Sequence, residues 1–391
     1  MDERKEFVRL ARMPGANVSE LCRRFAIHRS NGYKWLARYV AEGEAGLIER
    51  SRRPHGSPHR TPMAMEAAVL AVRASSNGAW GGSKISHVLK RRGEVAVPSA
   101  STITEILRRH GKLDGPRAGE PRAFVRFERA APNELWQMDF KGHFAAGTQR
   151  CHPLGALDDH SRYAVGMEAC ADECDATVRE RLTRIFRRYG LPWTMLMDNG
   201  PPWGEAAEQP RTGLTVWLLR LGIGVIHGRP RHPQTQGKEE RLHRTLKAEI
   251  ALTRLRDLAD CQRAFDRWRA VYNHERPHHS LAMAVPASRY QPSTRSFPET
   301  LPPIEYDEGE IVRRVGKDGR IEYRGRRWRV GKPFRGHDVA LRPTRQDGEL
   351  TVHFGAWRIA TLNLRDGTAT ACGFVDDAGA SPTTPQALPP L

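Results

Sequence analysis

Along residues 17–43, NVSELCRRFAIHRSNGYKWLARYVAEG, apolar positions recur at helical spacing. Leu21 and Phe25 sit on one stripe of a helix opening at Asn17 or Ser19, residues 26–28 break it, and a second helix is expected near residues 29–39. The alternation returns beyond SRRPHGSPHRTP: MEAAVLAVRA predicts a helix, GGSKISHVLKRRG another, and VPSASTITEILRRHG a third, opened by Ser99, Ser101 and Thr102. Residues 115–132 carry no periodicity and form a basic linker. The pattern then becomes mixed. ELWQMDFKGHF reads as a strand, and RCHPLGALDDHSRYAVGMEAC as two strands joined at residues 158–162. ATVRERLTRIFRRYG reads as a helix ended by Gly190. PWTMLM and GIGVIHG are short apolar strands, TGLTVWLLRLG a helix, and GKEERLHRTLKAEIALTRL a long helix. Three antiparallel strands followed by alternating helix and strand predict a mixed sheet flanked by helices.

Charge adds a partner to this layout. The 391 residues hold 63 Lys+Arg against 45 Asp+Glu, a net +18, and residues 1–130 alone contribute +12. Nucleic acid is therefore the expected polyanion. The paired helices have the helix-turn-helix layout, whose second helix enters a major groove. Arg29, Asn31 and Lys34 in the first unit, and Ser101 and Thr102 in the second, are its candidate DNA contacts. No apolar run is long enough to span a membrane and MDERKEF has no signal-peptide core, so a cytoplasmic protein is expected. The six cysteines lack CxxC spacing, which predicts free thiols and no zinc.

Three acids carry the candidate chemistry. Asp139 interrupts the apolar strand LWQMDFKG, where a carboxylate is costly to bury uncompensated. Asp198 ends an apolar strand and precedes an Asn-Gly turn, placing it at a carboxyl end of the sheet, where α/β folds open their sites. The third comes from the adjacent pair in HPQTQGKEERLH. At 100° per residue Glu239 shares the packing stripe of Leu242, Leu246 and Ile250, and attraction to the helix dipole accounts for its charge. Glu240 lies about 100° away, in line with His243, Arg244 and Lys247, and is the expected functional acid. Asp139, Asp198 and Glu240 together form an oxygen-rich set suited to Mg²⁺ or Mn²⁺, two ions of which activate an attacking oxygen and stabilise a leaving one. Arg244 and Lys247 are candidate phosphate contacts.

WQMDFKG, MDNG, HPQTQGKEERLHRTLK and YNHERPHHSL, in that order, resemble the integrase-core transposases of bacterial insertion sequences, relatives of retroviral integrases. The resemblance implies an RNase H-like catalytic fold and a D,D,E triad carried onto Asp139, Asp198 and Glu240. It also implies strand cleavage by water followed by attack of the freed 3′-hydroxyl on target DNA. Residues 233–237 correspond to the family's loop before the glutamate. Two departures stand out: 41 residues separate Asp198 from Glu240, with PPWGEAAEQPRTG as an insertion, and helix-turn-helix units replace the zinc module of retroviral integrases.

The remaining segments refine the picture. LDDHSR is read as a turn whose Asp158 and Asp159 bond to backbone. His274, His278 and His279 form a structural or phosphate-contacting loop rather than a metal cluster, and Trp203 and Trp217 pack. Residues 311–370 alternate short strand-like runs with Gly and Asp turns at net +8, predicting a small β-barrel that contacts DNA. The expected organisation is multidomain: an α-helical tandem helix-turn-helix arm (1–50 and 62–113), an α/β RNase H-like catalytic core with a mixed sheet (128–293), the barrel (308–370) and a disordered tail (374–391). The expected function is a DNA transposase binding the ends of its element as a homo-oligomer. Its rivals are a domesticated DNA-binding regulator with an inert core and an RNase H-type nuclease.

Overall fold

The computed structural model describes residues 2–50, 60–113, 128–204, 211–227, 237–250 and 255–372. The expected tail at 374–391, most of both linkers, residues 205–210 of the insertion and residues 233–236 of the loop before Glu240 lie outside the described residues. The chain divides into two compact units, Met1–Thr61 and Pro62–Leu391.

In the first unit, α1 (Asp2–Ala11), α2 (Val18–Arg24) and α3 (Arg29–Glu42) enclose Phe7, Val8, Cys22 and Leu47. Asn17 caps α2, its side chain accepting from the amides of Ser19 and Glu20 at 3.0 and 3.1 Å. The turn between α2 and α3 passes through Ala26 at φ 50°. α3 crosses its neighbours at Gly32, where a β-carbon would stand 2.5 Å from Cys22 Sγ and 2.9 Å from the Phe7 ring. Only glycine permits that approach.

The second unit opens with α4 (Met63–Ser75), α5 (Gly82–Arg91) and α6 (Ala100–Arg109), packed about Val69, Trp80, Ile85 and Ile103. Ser99 caps α6 through the amide of Thr102. The mixed sheet follows, from β1 (Leu135–Phe140), β2 (Phe144–Ala146), β3 (Gln149–Asp158), β4 (Ala164–Cys170), β5 (Thr194–Met197) and β6 (Gly224–His227). β3 runs antiparallel to both β1 and β4, and short β2 pairs its first residues. β1, β5 and β6 run parallel. Side-chain alternation gives the sheet two apolar faces. Trp136, Met138 and Leu154 meet α7 (Asp175–Tyr189) and α8 (Gly213–Arg220); Leu157 and Met167 meet α9 (Gly237–Glu249) and α10 (Leu258–His274).

The C-terminal part corrects the expectation of a barrel. β7 (Ile311–Arg314), β10 (Asp338–Pro343), β11 (Glu349–Phe354), β12 (Trp357–Asn363) and β13 (Thr368–Ala371) make one antiparallel sheet in the order β13-β12-β11-β10-β7, while β8 (Arg320–Tyr323) and β9 (Arg326–Arg329) pair only with each other. Among the described residues no ladder joins β7 to β13, so the sheet stays open. The hairpin strands are four residues long and expose Arg320, Arg326, Arg327 and Arg329, the kind of charge that discourages further edge pairing. This sheet packs on α8 through Val216 and Leu219, and Trp357 Nε1 donates to Leu219 O at 3.0 Å.

Candidate active site

Asp139 is the fifth of six residues in β1 and pairs in register with Gly155 of β3. Burial, opposed by a backbone hydrogen bond from Phe140 and reinforced by the charges of Asp198 and Glu173, raises its carboxyl to about 6. Asp198 follows β5, the parallel neighbour of β1, and is exposed. The two aspartates thus emerge side by side at the carboxyl ends of adjacent parallel strands.

The start of α9 brings the two glutamates to this place in different environments. Glu239, Leu242 and Leu246 are all buried, which is the stripe that helix phase predicts. Glu239 is 0% exposed, and neither carboxylate oxygen has a hydrogen-bond partner. Its Oε1 lies 2.3 Å from the point a β-carbon on Gly155 would occupy, with His243 Nε2 2.8 Å from the same point. Residues paired across an antiparallel ladder share a face, so this carboxyl lies on the same side of the sheet as Asp139. Burial, and next the charge of Asp139, push its pKa well above the ordinary carboxylate range. Beside the helix dipole, which favours the charged form, burial at this position therefore acts in the opposite direction. Glu240 is exposed in the same first turn.

The expected basic stripe is also narrower than helix phase suggested. Arg244 and Lys247 are exposed, but His243 is 7% exposed, and burial with the nearby Lys141 charge lowers it to about 4. At 40° from Glu239 it falls within the packing face. Lys141 is a residue the sequence reading passed over. It stands two positions beyond Asp139, its ammonium held below its ordinary pKa by burial and by the charge of Lys247, so these two cations face each other. Its signal was the period of two from Asp139.

Other predicted residues fall as follows. Asp158 and Asp159 are 0% exposed and structural. Asp158 accepts from Asn133 N at 2.7 Å and from Ser161 N at 2.8 Å; Asp159 accepts from Arg129 N at 2.8 Å and Gln137 Nε2 at 2.7 Å, and pairs with Lys238. The Asp159–Lys238 pair ties the first turn of α9 to the β3–β4 turn. The far end of α9 is held by Glu249, which accepts from Trp80 Nε1, Trp268 Nε1 and Arg276 Nε, each at 2.9 Å. Arg91 adds bonds to the carbonyls of His274 and Glu275. The helix-turn-helix residues of the second unit are thereby joined to α9 and α10, and the NHERPHH stretch serves that junction. Arg29, Asn31 and Lys34 are exposed on α3; Ser101 and Thr102 are exposed on α6, their hydroxyls 2.8 and 2.9 Å from Ser99 Oγ. All six cysteines are free. Among the described residues no three His, Cys, Asp or Glu side chains are gathered as a metal site, and no helix is long and apolar enough to cross a membrane.

Family models match the chain part by part. Two models of the integrase core domain match residues 129–233 and 221–286, a helix-turn-helix domain matches 3–55, a homeodomain-like domain matches 31–107, and the C-terminal domain of IS481 family transposases matches 310–370. The chain is 27% identical over 157 residues to the insertion element IS476 uncharacterized 39.2 kDa protein of Xanthomonas euvesicatoria, covering 40% of this chain and 44% of that one. It is 26% identical over 160 residues to the IS407 uncharacterized 31.7 kDa protein of Burkholderia multivorans, covering 40% and 55%. It is 30% identical over 132 residues to the Gag-Pol polyprotein of avian reticuloendotheliosis virus, covering 33% and 11%. The chain thus spans about half or less of these relatives. The HTLV-2 integrase catalytic core domain, solved in complex with magnesium, aligns at 16% identity and a TM-score of 0.32 over 41% of this chain and 97% of that one.

Proposed function

We propose that this chain, with its integrase core, helix-turn-helix domains and transposase C-terminal domain, is a DNA transposase that binds the ends of its mobile element and catalyses metal-dependent cleavage and strand transfer. The observation that carries the reading is the pair Asp139 and Asp198 at adjacent strand ends, with Asp139 raised by burial and by its neighbour's charge. An acid so placed gains from a cation, and oxygen donors of this kind suit Mg²⁺ or Mn²⁺. Asp139, Asp198 and Glu240 would hold two ions, which when bound supply an activated attacking oxygen and a stabilised leaving oxygen. Glu240 is preferred over Glu239 because its side chain is exposed at the helix start, whereas the carboxyl of Glu239 is sealed beneath it.

The chain's own residues then do the positioning. Asp159 and Lys238 fix the start of α9 over β1, so that Glu240 approaches the aspartates from the helix side. Lys141, Arg244 and Lys247 attract the backbone phosphates flanking the scissile bond. Arg29, Asn31 and Lys34 on α3, and Ser101 and Thr102 on α6, are assigned to end recognition. Acting on two ends requires at least a homodimer. Incubating the protein with labelled element ends and a plasmid target tests the reading. Joined products support it; cleavage alone would indicate a nuclease, and binding alone a regulator.

A further inference from the structure

α9 joins two places with different tasks. Its first turn carries Glu240, and its last residue is Glu249, about 14 Å farther along at about 1.5 Å per residue. The side chain of Glu249 is 5% exposed, and its carboxylate accepts from three donors. Trp268 Nε1 of α10 bonds to Oε2 and Arg276 Nε to Oε1, both from the core. The third, Trp80 Nε1, reaches Oε1 from the second helix-turn-helix unit. Arg276 balances the charge, so each indole adds a neutral donor to a pair already formed.

Trp80 is itself held on all sides. It is 1% exposed in the core of its unit, its amide donates to Ser76 Oγ at 3.2 Å, and its carbonyl accepts from Arg73 Nη1 at 2.6 Å. Two residues on, Gly82 opens α5 against the first turn of α6, where a β-carbon would stand 2.2 Å from Ala100 O and 2.5 Å from Thr104 Oγ1. Ser101 and Thr102, assigned to end recognition, lie in that same turn. A close-packed interior transmits displacement rather than absorbing it. A continuous set of contacts therefore runs from the first turn of α6 through Gly82, Trp80 and Glu249 into α9.

The opposite end of α9 is tied to the catalytic sheet by the Lys238–Asp159 pair. The helix is thus clamped twice, once to the sheet that carries Asp139 and once to the unit that carries Ser101 and Thr102. Displacing a catalytic group by about 1 Å can cost about a hundredfold in rate. What holds Glu249 in place therefore bears on how well Glu240 meets the aspartates.

We propose that Glu249 is a positioning residue through which DNA held at α6 steadies α9 and raises the rate at Asp139, Asp198 and Glu240. The proposal rests on the transposase reading and adds to it that the second helix-turn-helix unit does more than tether the substrate. Coupling of this kind is carried by packed side chains and rigid elements, and amounts to about 5- to 150-fold in typical cases.

The test measures cleavage by the full chain with Mg²⁺ on two duplexes, each at saturation. One is the element end; the other keeps the base pairs at the cleavage site and scrambles the sequence inward of them. The parent should cleave the first faster by at least about fivefold. Trp80→Phe keeps an aromatic ring and removes the N–H. It should bring the ratio of the two rates close to one, while affinity for the element end stays within about threefold because the DNA-facing residues of α6 are intact. Trp268→Phe deletes the other indole donor to the same carboxylate, from the core side, and should leave the ratio at the parent's value. A Glu249 that only stabilises the fold would make the two variants alike. A parent ratio near one, an unchanged ratio in Trp80→Phe, or an equal fall in Trp268→Phe would each overturn the coupling. Thermal melting shows whether Trp80→Phe is folded. If it is not, Glu249→Leu/Arg276→Met, which removes the buried pair as a unit, replaces it with the same fall expected, and an unchanged ratio there overturns the coupling too. Failure of the parent to cleave either duplex would instead count against the transposase reading itself, and the coupling would fall with it.

Discussion

Two pairs of aspartates sit on the same sheet and live under opposite conditions. Asp158 and Asp159 are fully buried, and the chain surrounds them with amides, a hydroxyl, a glutamine and a lysine. Asp139 and Asp198 stand where β1 and β5 end, with each other as like-charged neighbours. The first pair completes its bonding inside the protein; the second leaves bonding capacity for something from outside. Burial alone does not tell the two pairs apart, since the more buried pair is the one whose bonding is complete; for these aspartates the difference is whether the fold itself supplies the donors.

Neutralising each pair sharpens the contrast, and the largest effect belongs to the open one. Asp139→Asn, Asp198→Asn or Glu240→Gln should each lower strand transfer at least about a thousand-fold, or about 4 kcal/mol of transition-state stabilisation. Element-end binding in a gel-shift assay should stay within about threefold, because recognition is assigned to α3 and α6. Near-native activity in any of the three would remove that residue from the set of ligands.

Asp159→Asn tests the closed pair. It removes the carboxylate that Lys238, 20% exposed at its side chain, pairs with, and leaves the Asp159 carbonyl and the charge of Glu128. Breaking a buried pair on one side costs about 3 to 5 kcal/mol. Urea unfolding should show a loss of that order, with activity per folded molecule falling far less than for Asp139→Asn. A stable but inactive Asp159→Asn would move this acid from the structural pair to the chemistry.

The comparison also bears on what could be read in advance. Helix boundaries, the two strand-end aspartates and the phase of α9 follow from periodicity and turn residues, which are local. The packing stripe of Glu239, Leu242 and Leu246 was legible for that reason. That it lies over Gly155, across the ladder from Asp139, was not, because cross-strand register depends on residues far apart in sequence. The junction of Trp80 with Glu249 spans 169 positions and left no periodic trace. The C-terminal strands were legible as strands, yet whether the last pairs with the first is a question of closure that alternation cannot answer.

A smaller effect follows from pH. Asp139 has a folded pKa raised from 3.8 to about 6, so the folded state prefers the proton. The sign is that of a raised group: its contribution is fully present below about 4 and is lost as pH rises through about 6. The melting temperature of the metal-free protein should therefore decline over that window, and less so in Asp139→Asn. Added Mg²⁺ should raise the melting temperature more at pH 7 than at pH 5, because a cation binds the ionised form. An equal rise at both pH values, or an equal rise in Asp139→Asn, would place the ion elsewhere.

The smallest expected effect tests the adjacent glutamates. Glu239 is sealed over Gly155 and unpartnered, its carboxyl pushed well above the ordinary range by burial and by Asp139. Glu239→Gln keeps nearly the same shape, and the amide suits a site where burial disfavours the carboxylate. Strand transfer should stay within about tenfold of the parent, and stability within about 1 to 3 kcal/mol, the cost of an unpaired buried polar group. Glu240→Gln removes an exposed anion, should barely move the melting temperature, and yet falls among the thousand-fold losses. The two substitutions lie one residue apart and set a buried acid against an exposed one. An inverted result, with Glu239→Gln inactive and Glu240→Gln active, would mean that the start of α9 turns by about 100° when DNA and metal bind, carrying the sealed carboxyl out to the aspartates.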